Sequence, residues 1–559
     1  MKLSELNCLF LDGQTTGLSA ATSELLELAW CASLERAAIG SILIRPTDFA
    51  AVPKAVWQVT GLTEAHFKSA VNAEAAWREV MAQSAHVLVI HYAQFEVPFL
   101  KKVNQAVAGN DTLPWPVVDT YKVAQRLCGS FPSKTIRALS GHWGYELPET
   151  NRAYEHVAAT QVIWAALIAL LEKEAGITTL EAFTTWLGTK TPRAKAPKSG
   201  RHYLFARENR LAFPAEPGIY EMYSRSGKIL YIGKATSLKS RVNSYFTQRR
   251  TTRTRLHELM TQVADIRVTP TASALEAALL ENERIKAIEP AYNVALRTAD
   301  KPLVFVSRDL TSLSLTPDAQ HVWGPFSHEP FESLEQLYYI ARDMNDKIEI
   351  SWLKYTPEEI RERLAPLMAR YGYSDLAKVE IQYFWRVGKK LLALNPPTDE
   401  IEASLFRKMK RAGRAIHRMR WITELSRAQV SWKLRKEEWR TLQFCEGRVV
   451  RAETAPEPRF VFAAKQRFHE RRSQMNRAQF DAARIVFTEL SLFRKKEIPF
   501  EVAFSPTRRF RAGDATVEAP LPRDTKITAS WLSRVAKPLP PEPIEVAEPT
   551  PDILDPVTP

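Results

Sequence analysis

Tyr220, Tyr231, Arg241, Tyr245 and Glu281 fall within one short block of this chain. A phenol can hold or give up a proton, a guanidinium presents a planar set of donors to an oxyanion, and a carboxylate can ligate a hard cation. The spacing says how they are carried. Pro217-Gly218-Ile219-Tyr220 opens a strand, Ser224-Arg225-Ser226-Gly227 is turn-like, and Ile229-Leu230-Tyr231-Ile232-Gly233-Lys234 is a second strand. Together they predict a hairpin whose alternation puts Tyr231 and Gly233 on one face and Ile232 on the other. Ser237 to Tyr245 is helical in pattern, and Arg241 and Tyr245, four apart, share a face. Ser273-Ala274-Leu275-Glu276 is a capping box opening a helix over Leu275 to Ile288, which Pro290 helps to end. Glu281 lies beside the apolar stripe Leu275, Ala278, Leu279 and Ile285. A second candidate carboxylate, Asp12, stands where the strand Leu9-Phe10-Leu11 runs into the turn Gly13-Gln14-Thr15-Thr16-Gly17.

The elements that must position these groups belong to a chain of 559 residues, enough for three to four domains of about 150 residues each. Lysine and arginine number 77 against 63 acids, a formal charge of +14 that favours a polyanion such as nucleic acid or an anionic surface. Cys8, Cys31, Cys128 and Cys445 are too far apart for a metal knuckle and too few for a disulfide scaffold, which points to a reducing, intracellular setting. Asp12 cuts short the only apolar stretch at the start, so a secretory signal is not expected. Val162 to Leu171 is half a membrane span and fits a buried helix.

Strand-like runs alternate with helical patterns over 1–187, predicting an α/β domain. A basic, Pro-containing linker over 188–203 follows, then a compact block over 204–297 and a helical, basic region over 298–510. The tail over 511–559 is Pro-rich and, after Lys537, acidic only, and is expected to be disordered.

The central block resembles the GIY-YIG nucleases of the excision-repair kind found in UvrC and its shorter homologue Cho. The pieces occur in the family's order, from Gly218-Ile219-Tyr220 and Tyr231-Ile232-Gly233-Lys234-Ala235 to Pro290-Ala291-Tyr292-Asn293. The resemblance implies one divalent metal, Mg²⁺ or Mn²⁺, held by Glu281 against the scissile phosphate. Tyr231 would take the proton of the attacking water, and Arg241 would meet the developing charge. Tyr220 and Tyr245 would position water and phosphate. A free phenol, with a pKa of about 10, is a poor base at neutral pH, so cations must favour the phenolate, and Lys234 and the metal are the expected sources.

The first domain resembles the DEDD exonucleases, the family of the proofreading subunit of bacterial replicative polymerase, with its RNase H-like fold. The match runs through Asp12-Gly13-Gln14-Thr15-Thr16-Gly17, Gln58-Val59-Thr60-Gly61, His91 to Leu100, Val118-Asp119-Thr120 and Asn151 to Thr160. That family holds two metals with four carboxylates and uses a histidine as base. Here Asp12 is kept, Glu96 stands for an aspartate, Gln14 replaces a glutamate, Asn151 replaces the histidine, and His156 replaces the last aspartate. Two carboxylates cannot offset two dications as four can, and asparagine is no base at neutral pH. The domain is expected not to cut, although it can still hold single-stranded DNA or a partner.

Beyond the nuclease block, Trp323-Gly324-Pro325-Phe326-Ser327 and a helix over Ser333 to Arg342 resemble the following segment of UvrC and Cho. The cysteine group, second incision domain and helix-hairpin-helix of UvrC are not recognisable, which implies one cut per binding event, as in Cho. Phe406 to Arg440 reads as helix and carries twelve basic residues against three acidic, including Arg411, Arg414, Arg418 and Arg420, a phosphate-binding density. Trp421, Trp432 and Trp439 would share a helical face, as a core stripe or a stacking platform, and Arg467 to Arg477 form a second basic cluster.

The expectation is therefore a cytoplasmic, nucleoid-associated bacterial DNA endonuclease acting on damaged duplex, with DNA and a UvrB-like loading complex as partners. Two alternatives stay open: a weak 3′–5′ exonuclease working through Asp12 and Glu96, and a non-catalytic repair scaffold.

Overall fold

The computed structural model describes residues 1–33, 38–189, 201–247, 254–293, 303–307, 312–316, 318–321, 323–344, 355–462 and 475–511, apart from the side chains of 323, 329, 330 and 416–420. Most of the linker, most of the Arg467 to Arg477 cluster and the tail from 512 fall outside the described residues. The chain forms two compact units: Met1–Ala272 with the Pro290 turn, and Ser273–Glu289 with the residues that follow that turn.

In the first unit, β1 (Cys8–Thr15), β2 (Leu25–Cys31) and β3 (Gly40–Leu43) precede α1 (Lys54–Thr60) and α2 (Ala73–Met81). They are followed by β4 (Val87–Ile90), α3 (Ala93–Ala108), β5 (Val117–Asp119), α4 (Thr120–Leu127), α5 (Ile136–His142), α6 (Ala153–Ala175) and α7 (Leu180–Gly188). The sheet order is β3-β2-β1-β4-β5, with β1 antiparallel to β2 and parallel to β4. Because β1 is buried on both faces, its alternate residues feed two cores. Cys8 and Phe10 pack with Trp164 and Leu167 of α6, whereas Leu9 and Leu11 pack with Trp77, Val80 and Leu100 of α2 and α3. Ala153–Ala175 is long and apolar enough to cross a membrane, but half of its apolar window is buried in this domain. The buried helix read from Val162 to Leu171 is thus observed.

A smaller sheet follows in the same unit. α8 (Arg207–Leu211) leads to β6 (Gly218–Tyr223), β7 (Ile229–Ala235), α9 (Leu238–Thr247), α10 (Thr254–Gln262) and β8 (Asp265–Pro270). The order is β7-β6-β8, all antiparallel, so the fully buried β6 is central. The expected hairpin closes through Ser224 N–H to the Lys228 carbonyl at 2.9 Å, with Gly227 at φ 85°.

The second unit begins with α11 (Ala274–Ile288). A three-stranded sheet of β9 (Leu303–Val306), β10 (Leu313–Ser314) and β11 (Trp323–Ser327) precedes α12 (Glu329–Ala341), α13 (Pro357–Ala369), α14 (Ile381–Lys390) and α15 (Glu400–Leu425). Then come β12 (Gln429–Arg435), β13 (Glu438–Cys445), β14 (Arg448–Ala455), α16 (Arg477–Lys495), β15 (Phe500–Ser505) and β16 (Arg508–Arg511). Helix predominates, as read from the sequence, but the last strands form a five-stranded antiparallel sheet, β14-β13-β12-β15-β16, that the sequence reading missed.

The helix drawn over Phe406 to Arg440 therefore ends at Leu425. Arg435-Lys436-Glu437-Glu438 is the polar turn of a hairpin in which Arg435 pairs with Glu438. Trp421 lies on α15, Trp432 on β12 and Trp439 on β13, so they share no helical face. Trp421 and Trp432 are both buried in the core with Val430, Leu442 and Val486, which removes the stacking platform.

One buried ion pair fixes the start of α6 to β2. Glu27 is fully buried, and Arg152 Nε and Nη2 donate to its two oxygens at 3.0 and 2.9 Å. Ser41 Oγ and the Ala153 N–H donate to it as well. Removing the arginine strands a buried carboxylate, so Arg152→Met is expected to cost about 3 kcal/mol, measured as a loss of unfolding free energy in denaturant; a cost near zero would contradict the pairing.

Candidate active site

In the β6–β7 hairpin Tyr220 pairs with Gly233 and Met222 with Tyr231, so Tyr220 and Tyr231 emerge on one face. Their ring centroids are 6.1 Å apart. Helix α9 brings Tyr245 to the same place, with ring centroids 5.9 Å apart and hydroxyls 2.7 Å apart from Tyr220. Arg241, one turn earlier, lies over the Tyr245 ring at 5.0 Å. Tyr220 lies across Gly233: a Cβ there would sit 2.3 Å from the Tyr220 hydroxyl and 2.9 Å from the Tyr231 ring. Only glycine leaves room for the cluster.

Burial, then the neighbouring Tyr245 and Tyr231, push the Tyr220 phenol well above its usual pKa, so Tyr220 stays protonated. Burial works against the charge of Arg241, but the phenols of Tyr220, Tyr245 and Tyr231 more than compensate and hold it above its ordinary range. Arg241 is thus a permanent cation among three phenols. Tyr231 is half-buried. Lys234 pairs with Ile219, which by alternation places it on the Ile232 face, exposed.

A residue that the sequence reading quoted but gave no role is Asn293. Its buried amide accepts from Ile232 N–H at 2.9 Å and donates to the Ile232 carbonyl at 2.8 Å, pinning β7 between Tyr231 and Gly233. The run Pro290-Ala291-Tyr292-Asn293 was the available signal, since a buried asparagine side chain can satisfy an open strand edge.

Glu281 is half-buried on α11, in the second unit. The N-cap of the expected capping box is observed, with Ser273 Oγ accepting from Glu276 N–H at 3.2 Å, but the Glu276 carboxylate turns to the Ser273 hydroxyl at 2.9 Å and not to its backbone N–H. Leu275 joins the core formed by α15, α16 and the five-stranded sheet. Asp481 of α16, itself buried, takes Lys286 Nζ at 2.8 Å and Arg477 Nε at 3.2 Å, and Asn282 Nδ2 donates to the Ala478 carbonyl at 3.3 Å. The helix bearing Glu281 is therefore seated on α16.

The five candidate residues of the exonuclease-like site fall into two groups. Asp12 and Glu96 are both buried. Gln14 Nε2 donates to Asp12 Oδ2 at 3.1 Å, and His156 Nδ1 lies 3.2 Å from Oδ1. Gln14 and His156 thus occupy both oxygens of Asp12. Asn151 lies apart from this pair, with its N–H on the Val59 carbonyl and its Oδ1 3.5 Å from Arg137 Nη2. Among the described residues no three His, Cys, Asp or Glu side chains form a cluster able to hold a metal, so the donor set does not fit a two-metal centre. Burial raises Asp12, with His156 and Gln14 opposing; burial and then Asp12 raise Glu96 well above the carboxylate range.

Arg411 is exposed and Arg414 half-buried on α15, whereas the side chains of Arg418 and Arg420, on the same helix, lie outside the described residues. Burial and then Arg411 lower the Lys408 pKa to about 8, a sign of crowded positive charge there.

Comparison with known proteins follows these two groupings. Residues 216–294 match the family model of a UvrC-like GIY-YIG domain, and residues 9–160 match that of an exonuclease. UvrABC system protein C of Legionella pneumophila is 49% identical over 122 residues, 20% of this chain and 19% of that one. The Serratia proteamaculans protein of the same name is 31% identical over 215 residues, 36% of this chain and 34% of that one. The chain thus spans about a third or less of these relatives. Among solved structures, the GIY-YIG N-terminal endonuclease domain of UvrC from Thermotoga maritima, bound to magnesium, is 31% identical and covers 16% of this chain and 94% of that one, at a TM-score of 0.15. Exonuclease X in complex with 5′ overhanging duplex DNA is 19% identical and covers 32% and 99%, at a TM-score of 0.26.

Both raised carboxyls bind their protons more tightly folded than unfolded, so they favour the fold at low pH and lose that contribution as pH rises through their folded pKa. Glu96→Gln is expected to raise the melting temperature near pH 8, with the gain vanishing below the usual glutamate pKa of about 4.3; a uniform loss would contradict the assignment. Asp481→Ala is expected to cost about 3 kcal/mol in denaturant melts by depriving Lys286 and Arg477 of this buried partner. One polypeptide here joins an exonuclease domain, matched over 9–160, to a UvrC-like GIY-YIG domain, matched over 216–294.

Proposed function

We propose that this chain is a metal-dependent DNA endonuclease of the UvrC/Cho excinuclease type, nicking one strand of damaged DNA in nucleotide-excision repair. The observation that carries the reading is the gathering of Tyr220, Tyr231, Tyr245 and Arg241 on one face of a hairpin within the stretch matched as UvrC-like. In this reading Tyr231 is the base. Tyr220 is excluded from that task by its raised pKa, and instead holds Tyr245 and Arg241 in place. The guanidinium of Arg241 favours the Tyr231 phenolate and receives charge from a phosphate oxygen. Tyr245 orients the phosphate; Lys234, expected beside Tyr231, instead lies on the opposite face of β7, so Arg241 is the cation among the phenols.

Glu281 is the carboxylate that would hold the ion. A single glutamate suits Mg²⁺ or Mn²⁺, which keep several waters and take other ligands from phosphate. Such an ion supplies charge neutralisation at the scissile phosphate.

The exonuclease domain does not cut in this reading, because the oxygens of Asp12 are already taken by Gln14 and His156. Arg411 and Arg414 of α15 contact the phosphate backbone, the expected partners Arg418 and Arg420 having side chains outside the described residues. The protein works in the cytoplasm on nucleoid DNA, with a UvrB-like complex loading it at damage.

The test uses end-labelled duplex bearing a bulky adduct, with Mg²⁺, in the presence and absence of damage-recognition proteins. Discrete nicks, abolished in Glu281→Ala and Tyr231→Phe, are expected. A ladder from 3′ ends would instead indicate a working exonuclease, and no product under any condition a scaffold. Arg411→Ala is expected to weaken binding across all sequences and to lower the slope of log affinity against log salt by about one.

A further inference from the structure

Helix α5 of the exonuclease domain packs against α10 of the nuclease body, and the seam is made of specific polar contacts. Ser133 N–H donates to Thr261 Oγ1 at 3.0 Å, and His142 Nδ1 lies 2.9 Å from the Thr261 carbonyl. Gly141 is pressed onto Gln262, where a Cβ would come within 2.1 Å of Oε1. Burial lowers the His142 pKa to about 4, so it meets α10 as a neutral donor. Thr135 Oγ1 donates to Glu258 Oε2 at 3.0 Å, and Arg137 Nε lies 3.9 Å from Oε1. The far side of Arg137 is tied to the carbonyls of Leu147 and Pro148, both at 2.7 Å, in the loop leading to Asn151.

The contacts continue from Glu258 toward the tyrosine cluster. Tyr292 Oη donates to Glu258 Oε1 at 2.8 Å and accepts from Gln262 Nε2 at 2.5 Å. Burial and the Glu258 charge keep this phenol protonated, as a donor must be. The Tyr292 N–H bonds the Leu230 carbonyl at 3.0 Å, and Asn293 bonds both backbone groups of Ile232. Leu230 and Ile232 are the two chain neighbours of Tyr231. An unbroken run of direct contacts therefore leads from the exonuclease domain to both sides of the proposed base.

We infer that the exonuclease-like domain acts as a clamp in cis on the nuclease's tyrosine strand: Thr135 and Arg137 orient Glu258, Glu258 orients Tyr292, and the Tyr292–Asn293 turn fixes β7 at Tyr231. All of these are positioning residues. This gives a domain whose described residues form no metal-binding donor set a reason to be joined to the endonuclease, independent of any nucleic acid it holds. Glue alone would need apolar area; it would not need a carboxylate held by one domain and read by a phenol of the other. The kinetic part of the idea rests on the nuclease reading, and the contact chain does not.

The test is made on the full chain, with hydrogen exchange resolved at the Ile232 amide and single-turnover nicking of adducted duplex. Glu258→Ala and the pair Thr135→Val with Arg137→Met are each expected to reduce Ile232 protection and the nicking rate constant about tenfold, with DNA affinity unchanged. Glu258→Gln, which keeps an acceptor for Tyr292 and Thr135, is expected to recover most of both. Lys101→Ala, a surface change on the same domain, is expected to alter neither. Unchanged Ile232 protection, or lost protection with an unchanged rate constant, overturns the clamp. If the unaltered protein does not nick, the nuclease reading fails, and the exchange measurement alone then decides whether the contact chain holds the strand.

Discussion

A tyrosine hydroxyl can be buried without penalty only if it finds a hydrogen-bond partner. Tyr220 is fully buried at the centre of a three-stranded sheet, and its hydroxyl is met by Tyr245 at 2.7 Å. That one requirement orders the nuclease body. It draws α9 against the hairpin, sets Arg241 among the phenols, demands a glycine at 233 and leaves Tyr231 as the phenol nearest solvent. Within the cluster Tyr231 is therefore set apart from Tyr220 and Tyr245 by its lesser burial.

The same rule reads differently in the exonuclease domain. There the buried carboxyls include Asp12, Glu96 and Glu27. Gln14 and His156 hydrogen-bond the two oxygens of Asp12, while Glu27 is paired with Arg152. The domain has a two-faced sheet with a core on each side, and hydrogen-bond donors satisfy its buried carboxylates.

Much of this was legible from residue order. The hairpin, the face shared by Arg241 and Tyr245, the N-cap at Ser273 and the buried helix around Trp164 all follow from local rules of alternation, helical spacing and capping. Asn293 was not assigned, because its task is to satisfy a strand 61 residues away, and the run Pro290-Ala291-Tyr292-Asn293 marks the residue without revealing that task. The pairing of His156 with Asp12 was missed for the same reason. The region after Leu425 misled differently: in β12 and β13 basic residues interrupt the apolar alternation, so charge density suggested a helix where cross-strand packing of Trp432 and Val430 decides for a sheet. Tertiary packing overrode propensity there.

The central claim is that Tyr231 gives up its proton to act as the base. It is tested most directly by replacing Tyr231 with a fluorinated tyrosine, whose phenol is more acidic, and measuring the nicking rate constant against pH. The alkaline-rising limb should move to lower pH, following the acidity of the substituted ring. A profile that stays where it was would mean that another group takes the proton.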